Sequence, residues 1–339
     1  MQITEWWPEA APEDERRQWY DVWSAGYREL RPDDPVPPYA TALGWYSIHP
    51  AYTVARTWLA RSADGRVTGW AQLTRDTNGT NQHRAECELG VAQDARRSGV
   101  GTALLRALAG AAQQAGCTVL GFEVERADAA AFLDRFGGKR CVGDARGVLQ
   151  TADVDRSDVA ACAQRPAGAA DYSLLCWDDG VPDEWLGELA RVVTAMNDAP
   201  VGEMAWNDEE PDPDRVRGWH TMLSSRGDMI WTVCARHEPT GRLAGVTELV
   251  FYAGFPERAY QESTAVDPRH RGHGLGLWMK ATMLQRVLAV RPEVTSIETG
   301  NADVNEHMLR INRRLGFRTA AAAAEHELDT AAALARLAG

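Results

Sequence analysis

The chain has 339 residues, 45% of them hydrophobic and 25% charged, with a formal net charge of −12. That length and composition fit about two globular domains with ordinary cores. They exclude a helical membrane protein, because no apolar run approaches the roughly 20 residues needed to cross a bilayer, and the acidic balance argues against a nucleic-acid binder.

Residues 12–30 carry Trp19, Val22, Trp23 and Leu30 at helical spacing. YTVARTWLARS and VTGWAQLTRD are alternating runs joined at Asp64-Gly65, the pattern of a β-hairpin. RAECELGV (84–91) reads as a third strand, Gly99 to Gly116 as a helix, TVLGFEV (118–124) as a fourth strand and 127–136 as a short helix ended by Gly137-Gly138. A link rich in Pro, Gly and Ala follows at 155–172. The second half repeats the order: helices at 181–198 and 212–227, a hairpin made of MIWTVCARH and LAGVTELVFYA, a strand at 259–266, and a helix from Gly274 to Val290. SIETG, the helix VNEHMLRINRRL and a last strand, GFRTAAAAAEHEL, complete it. The boundary between copies is expected near residue 168, giving domains 1–168 and 169–339.

The clearest sign of duplication is Arg-x-x-Gly-x-Gly, which occurs twice between a strand and a helix. Arg96, Arg97, Gly99 and Gly101 carry it first; Arg271, Gly272, His273, Gly274, Leu275 and Gly276 carry it again. Val91 and Val266 precede the loops at the same offset of 175 residues (266 − 91 = 274 − 99), a repeat the size of a whole domain. A helix start after a glycine turn is an anion site: its first N–H groups lack partners, the helix dipole favours negative charge, and glycine lets a phosphate come close. The dinucleotide pattern G-x-G-x-x-G is not met, since Leu277, Trp278 and Met279 follow Gly276, and no Gly-Lys-Ser/Thr follows either loop.

In this order of elements, the two loops resemble those of the GNAT superfamily of acyl-CoA-dependent N-acyltransferases, in which the loop holds the pyrophosphate of acetyl-CoA. The second copy matches more fully. Ala265 to Gly276 reads like the family's strand and loop, and Gly300-Asn301, Asn305, Met308, Asn312 and Leu315-Gly316-Phe317 like its second cofactor-side motif. The tandem arrangement is similar to mycothiol synthase and other two-domain actinobacterial members. The resemblance implies an α/β fold of two tandem GNAT domains, each a mostly antiparallel sheet flanked by helices. It implies acetyl-CoA as acyl donor, an inactive N-terminal half and a catalytic C-terminal half. In the first copy Arg97 replaces the first loop glycine, and Val124-Glu125-Arg126 stands where Gly300-Asn301 would.

Amine acetylation needs a base for the ammonium and an acid for the departing thiolate. Glu262, four residues before Val266, is the expected base; at the constant offset its counterpart is Cys87 (262 − 175), flanked by Glu86 and Glu88, which would point to the opposite strand face, so the carboxylate of the first copy is expected to be displaced. The family's usual acid is a Tyr at the position of Asn312, Leu133 in the first copy. Three possibilities stay open: water assists the thiolate, Tyr260 or another residue donates, or Asn312 only bonds the cofactor. His270 and His273 flank the loop and either touch phosphate or face solvent.

Asp198, Glu203 and Trp206 lie in the acidic connection between the second copy's first two helices. In this fold the connection forms a wall of the acceptor pocket, and carboxylates beside an aromatic ring suit a protonated amine. The six cysteines form no CxxC pair or Cys/His cluster and read as reduced thiols, with no metal site. No secretory pattern opens the sequence. The expectation is a cytoplasmic N-acetyltransferase, monomer or homodimer, acting on a small cationic amine such as an antibiotic, amino sugar or amino-acid derivative, without nucleic-acid or membrane partners. The alternatives are acetylation of a cysteinyl pseudodisaccharide and non-catalytic acyl-CoA binding.

Overall fold

The computed structural model describes all 339 residues. The chain divides into two compact units: Met1–Val142 with Gly202–Asn207 and Ala323–Gly339, and Gly143–Val201 with Asp208–Ala322. Neither unit is a single stretch of sequence.

The first unit contains β1 (Gln2–Trp6), α1 (Glu13–Leu30), α2 (Tyr39–Ser47), β2 (Thr53–Arg61), β3 (Val67–Asp76), β4 (Arg84–Val91), α3 (Val100–Gln114), β5 (Val119–Val124) and α4 (Ala127–Asp134). Its sheet runs β1-β2-β3-β4-β5 and is completed by β12 (Arg318–Asp329), after which α10 (Thr330–Ala338) packs against α3. Ala324–Asp329 pair antiparallel with Val119–Val124. The Ala-rich stretch is thus a strand, as its position after Gly316-Phe317 predicts, but its partner belongs to the first half of the sequence. Leu104, Leu105 and Leu108 of α3 are fully buried with Ala333 and Leu337 of α10, each leucine contributing roughly 1.5–3 kcal/mol. A second cluster gathers Trp6, Trp19, Trp23, Tyr46 and Trp70 between α1, α2 and the sheet.

The second unit contains β6 (Lys139–Gln150), α5 (Arg156–Cys162), β7 (Tyr172–Trp177), α6 (Asp183–Val193), α7 (Pro213–Ser225), β8 (Met229–His237), β9 (Arg242–Tyr252), β10 (Phe255–Val266), α8 (Leu275–Val290), β11 (Ser296–Ala302) and α9 (Glu306–Leu315). Its sheet runs β6-β11-β10-β9-β8-β7. β6 supplies Asp144–Gln150 as antiparallel partner of β11. Each unit therefore takes its last strand from the other half of the sequence. β1, β6 and β7 escape the sequence reading because none sits in a hairpin with a turn signal.

Both sheets are antiparallel except at one place. β4 pairs parallel with β5 only over Arg84–Glu86, and β10 with β11 only over Arg258–Tyr260. Beyond those points pairing stops, which opens each sheet beside its Arg-x-x-Gly-x-Gly loop.

α9 shows what the Leu-Gly-Phe signature does physically. Gly316 ends the helix at φ 103°, Phe317 N–H returns to the Asn312 carbonyl, and Leu315 and Phe317 are buried. α4 ends the same way: Gly137 has φ 93° and Gly138 N–H returns to the Leu133 carbonyl.

Candidate acyl-transfer sites

The two loops share one backbone. In the first, Gly99 has φ 92° and Arg97 φ 62°; in the second, Gly274 has φ 77° and Gly272 φ 84°. Arg97 thus holds, as a non-glycine, the left-handed conformation its counterpart achieves with glycine (272 − 175 = 97). Both motif arginines brace the turn alike. Arg96 Nε donates to the Val91 carbonyl at 3.2 Å, and Arg271 Nε to the Val266 carbonyl at 3.1 Å. Each also meets a carboxylate: Arg96 pairs with Glu29 at 2.6 Å and Arg271 with Asp198 at 2.5 Å.

What stands over the loops differs. A Cβ added at Gly99 would meet no atom within 4 Å, so the first loop is open. The same atom at Gly274 would lie 3.3 Å from the Pro166 side chain, and His273 Nδ1 is 2.6 Å from the Gly168 carbonyl oxygen. The Pro-Gly link lies against the second loop. The first loop borders a cleft of about 1030 Å³, lined also by Trp23, Tyr46, Glu88 and Phe132.

Strand register identifies the carboxylates. β3 and β9 correspond at an offset of 176, with Gly69 opposite Val91 and Gly245 opposite Val266. Leu73 faces Cys87 and Leu249 faces Gln261, so Cys87 corresponds to Gln261. Between Gln261 and Thr264 the register shifts, and Glu262 and Ser263 both stand opposite Glu248. This is a β-bulge, one residue more than β4 carries. The constant offset holds only after the bulge: Cys87 corresponds to Gln261, and Glu88, opposite Gln72, stands at the position that Glu262 and Ser263 share opposite Glu248. The first copy keeps its carboxylate.

Glu262 is half-buried, and burial with the nearby Glu248 carboxylate raises it to about 7. Glu248 is buried, with His220 Nε2 3.8 Å away. Glu88 is exposed to the cleft it lines and receives its hydrogen bond from the Tyr46 hydroxyl; desolvation by the surrounding cleft wall raises its pKa. Cys87 is a buried core thiol.

The family model "Acetyltransferase (GNAT) family" matches residues 10–137 and 192–317. The chain belongs to the GNAT acetyltransferase family. No curated protein matches it in sequence. Among solved structures it is similar to a tandem GNAT protein from the clavulanic acid biosynthesis pathway, at 27% identity and TM-score 0.79 over 97% of this chain and 98% of that one. A GCN5-related N-acetyltransferase from Sphaerobacter thermophilus shares 14% identity and TM-score 0.67 over 97% and 96% of the chains. A putative acetyltransferase from Pyrococcus horikoshii shares 13% and 0.57 over 96% and 89%. The expected two-copy GNAT fold and N-acetyltransferase class are thus shown.

Within this GNAT chain the other expected residues fall into distinct places. Asn312 is buried, and its amide donates to Asn301 Oδ1. Asn305 caps α9 by accepting from Met308 N–H at 3.2 Å. Leu275 is buried core, leaving only its backbone to face a ligand. Tyr260 Oη would lie 3.3 Å from a Cβ at Gly300, near the opening beside β11. His270 Nδ1 is 2.9 Å from the Tyr172 hydroxyl. Asp198 is tied to Arg271 rather than standing open for an amine. Glu203 and Trp206 belong to the first unit. There Glu203 N–H bonds the Cys141 carbonyl at 3.1 Å, and Trp206 lies 5.3 Å from the buried Arg84 guanidinium. Arg84 also pairs with Glu327, and Glu327 accepts from Ala205 N–H at 3.0 Å. The expected acceptor wall of Asp198, Glu203 and Trp206 is therefore not assembled: Asp198 pairs with Arg271, Glu203 is bonded to Cys141, and Trp206 covers Arg84. Sequence reasoning missed Glu248 and His220, and it turned Glu88 to the opposite strand face from the position of Glu262. For Glu88 the available signal was its place one residue past Cys87.

GNAT enzymes use acetyl-CoA, and the first loop passes a simple test of fit. Its left-handed turn has room where a side chain would project, and Arg97, exposed, has no hydrogen bond or ion pair to the protein. A phosphate would find a helix start and a guanidinium there.

Proposed function

We propose that the chain transfers an acetyl group from acetyl-CoA to the primary amine of a small cationic acceptor, with Glu262 of the second unit as general base. The observation that carries this is a half-buried carboxyl at about 7, beside a second carboxylate, where β10 and β11 part. A base poised near the working pH is what amine deprotonation needs. The similarity to a tandem GNAT protein from the clavulanic acid biosynthesis pathway favours a small-molecule acceptor.

Arg271 and the N–H groups of Gly274 to Gly276 would hold one pyrophosphate, and Arg96, Arg97, Gly99 and Gly101 another. Bound acetyl-CoA supplies an activated thioester carbonyl. Glu248 and Glu262 draw the acceptor's ammonium by charge, and Glu262 takes its proton. Burial and the neighbouring Glu262 hold the Tyr252 hydroxyl well above its usual range, so it stays protonated. Tyr260 is the candidate donor to the thiolate, and Asn312, turned to Asn301, is a positioning residue.

The test is release of free CoA thiol with a panel of amines. Wild type should release thiol above hydrolysis with at least one amine, and Glu262→Gln should not. If neither protein does so with any amine, the chain is an acyl-CoA binder rather than an enzyme.

A further inference from the structure

We propose that the cleft of the first unit is a second amine-binding site, built for an ammonium group carried on an apolar body. The residues that make it are Glu88, Tyr46, Trp23, Trp45, Tyr27 and Trp70, all on the cleft wall. Glu88 is the only carboxylate on this wall whose register matches that of Glu262, and no Arg or Lys pairs with it. Its hydrogen bond comes from the Tyr46 hydroxyl, which itself accepts from Trp23 Nε1 at 3.1 Å. Gln72 fixes Tyr46 from behind, its amide donating to the Tyr46 carbonyl at 2.9 Å and to Thr57 Oγ1 at 2.9 Å. At the corresponding place in the second unit stands Glu248.

The aromatic rings form a continuous surface around that carboxylate. Trp23 stacks on Tyr27 with centroids 5.4 Å apart and meets Trp45 edge-on at 6.3 Å. Tyr46 meets Trp70 edge-on at 5.1 Å. Trp70 is 95% buried, yet its indole N–H has no partner. That N–H sits in the space left by Gly90, 2.5 Å from where a Cβ would be, two residues beyond Glu88 on the same strand face. A buried donor without an acceptor is costly unless a ligand supplies one. A carboxylate lacking a cation, set among aromatic faces, is complementary to an alkylammonium: charge opposes charge, and the ring faces attract the cation. The unused indole N–H adds a place for a ligand oxygen. In the second unit two carboxylates share the corresponding site, so the two copies are built for amines of different shape, the first for the more apolar one.

The inference rests on the first unit's own residues and is read by binding, so it can fail while the assignment of Glu262 stands. Calorimetry on the full chain would compare benzylamine with its neutral isostere benzyl alcohol, in wild type, Glu88→Gln and Glu88→Asp. Wild type should bind the amine at least tenfold more tightly. Glu88→Gln should erase the preference and Glu88→Asp should keep part of it. No preference in wild type, or a preference that survives Glu88→Gln, overturns the proposal. Should Glu88→Gln fail to fold, quenching of tryptophan fluorescence by benzylamine but not benzyl alcohol in Glu88→Asp, weaker than in wild type, decides in its favour; equal quenching decides against it.

Discussion

The first Arg-x-x-Gly-x-Gly loop stands open on a cleft, whereas the second has the Pro166–Gly168 link against it, although the two turns are the same backbone twice. The family resemblance implies the opposite ranking, a working second copy and a spent first one. The difference shows that wear in a motif and wear in a site are separate matters. Arg97 departs from the glycine pattern yet keeps the glycine conformation. Phe136-Gly137-Gly138 departs from Leu-Gly-Phe yet ends its helix by the same return hydrogen bond. What differs is the charge beside the opening of each sheet: Gln72 and Glu88 in one, Glu248 and Glu262 in the other.

The sharpest way to break this comparison is at Glu262. Glu262→Gln should lower kcat at least 100-fold, within the roughly 10²–10⁴ a general base supplies. Because the folded carboxyl titrates at about 7, the wild-type rate should rise as pH increases through about 7 and then level off as the base becomes fully ionised. The variant should lose that limb. A limb that remains would assign the titration to another group.

Next in size is a stability difference between equivalent helix positions. Lys280 of α8 is buried where α3 has Leu105 (280 − 175), also buried. Burial lowers the lysine from 10.5 to about 7. The unfolded chain therefore binds a proton between those pH values that the folded chain does not. The lysine's cost is absent above pH 10.5, grows as pH falls, and is complete below about 7. Lys280→Leu should stabilise the protein by roughly 2–4 kcal/mol at pH 7, since a tenfold change in proton affinity is worth about 1.4 kcal/mol. Urea unfolding at pH 7 and pH 10 should show the gain shrinking at the higher pH; a constant gain would mean packing rather than charge.

These positions show what was legible in the sequence. The hairpins, the loop-helix turns and the helix ends were, because each is set by local spacing and by glycines at left-handed positions. The strand exchange was not. β6 and β12 alternate and bury residues as any strand does, and nothing local states which edge they will join. The bulge was equally silent. An offset measured on the loops is right downstream of Glu262 and one residue wrong upstream, which put Cys87 at the carboxylate's position and turned Glu88 to the opposite face. The acidic run around Trp206 looked like a substrate wall because charge and aromaticity carry no information about which partner they meet; the partner is Arg84, far away in sequence.

A smaller effect separates the loops themselves. Titration of the full chain with acetyl-CoA should show the open first loop as the tighter class. Arg97→Glu should weaken that class at least tenfold, since charge-assisted bonds to a phosphate contribute about 1.5–3 kcal/mol each. An unchanged isotherm would mean that Arg97 does not meet the phosphate.

The smallest expected change is the most specific to the comparison. Arg97 occupies a left-handed conformation that costs a non-glycine residue roughly 1–2 kcal/mol. Arg97→Gly copies the second loop into the first and removes that strain, while giving the unfolded chain more freedom, which offsets part of the gain. The net should be a stabilisation of at most about 1 kcal/mol, a rise of a few degrees in Tm. Acetyl-CoA binding should weaken severalfold at the same time, because the guanidinium is gone while the turn is intact. Stability rising as affinity falls would mark Arg97 as held under strain for its ligand. Both falling together would mean that the arginine supports the fold, and that the first loop had exchanged its glycine for structure rather than for binding.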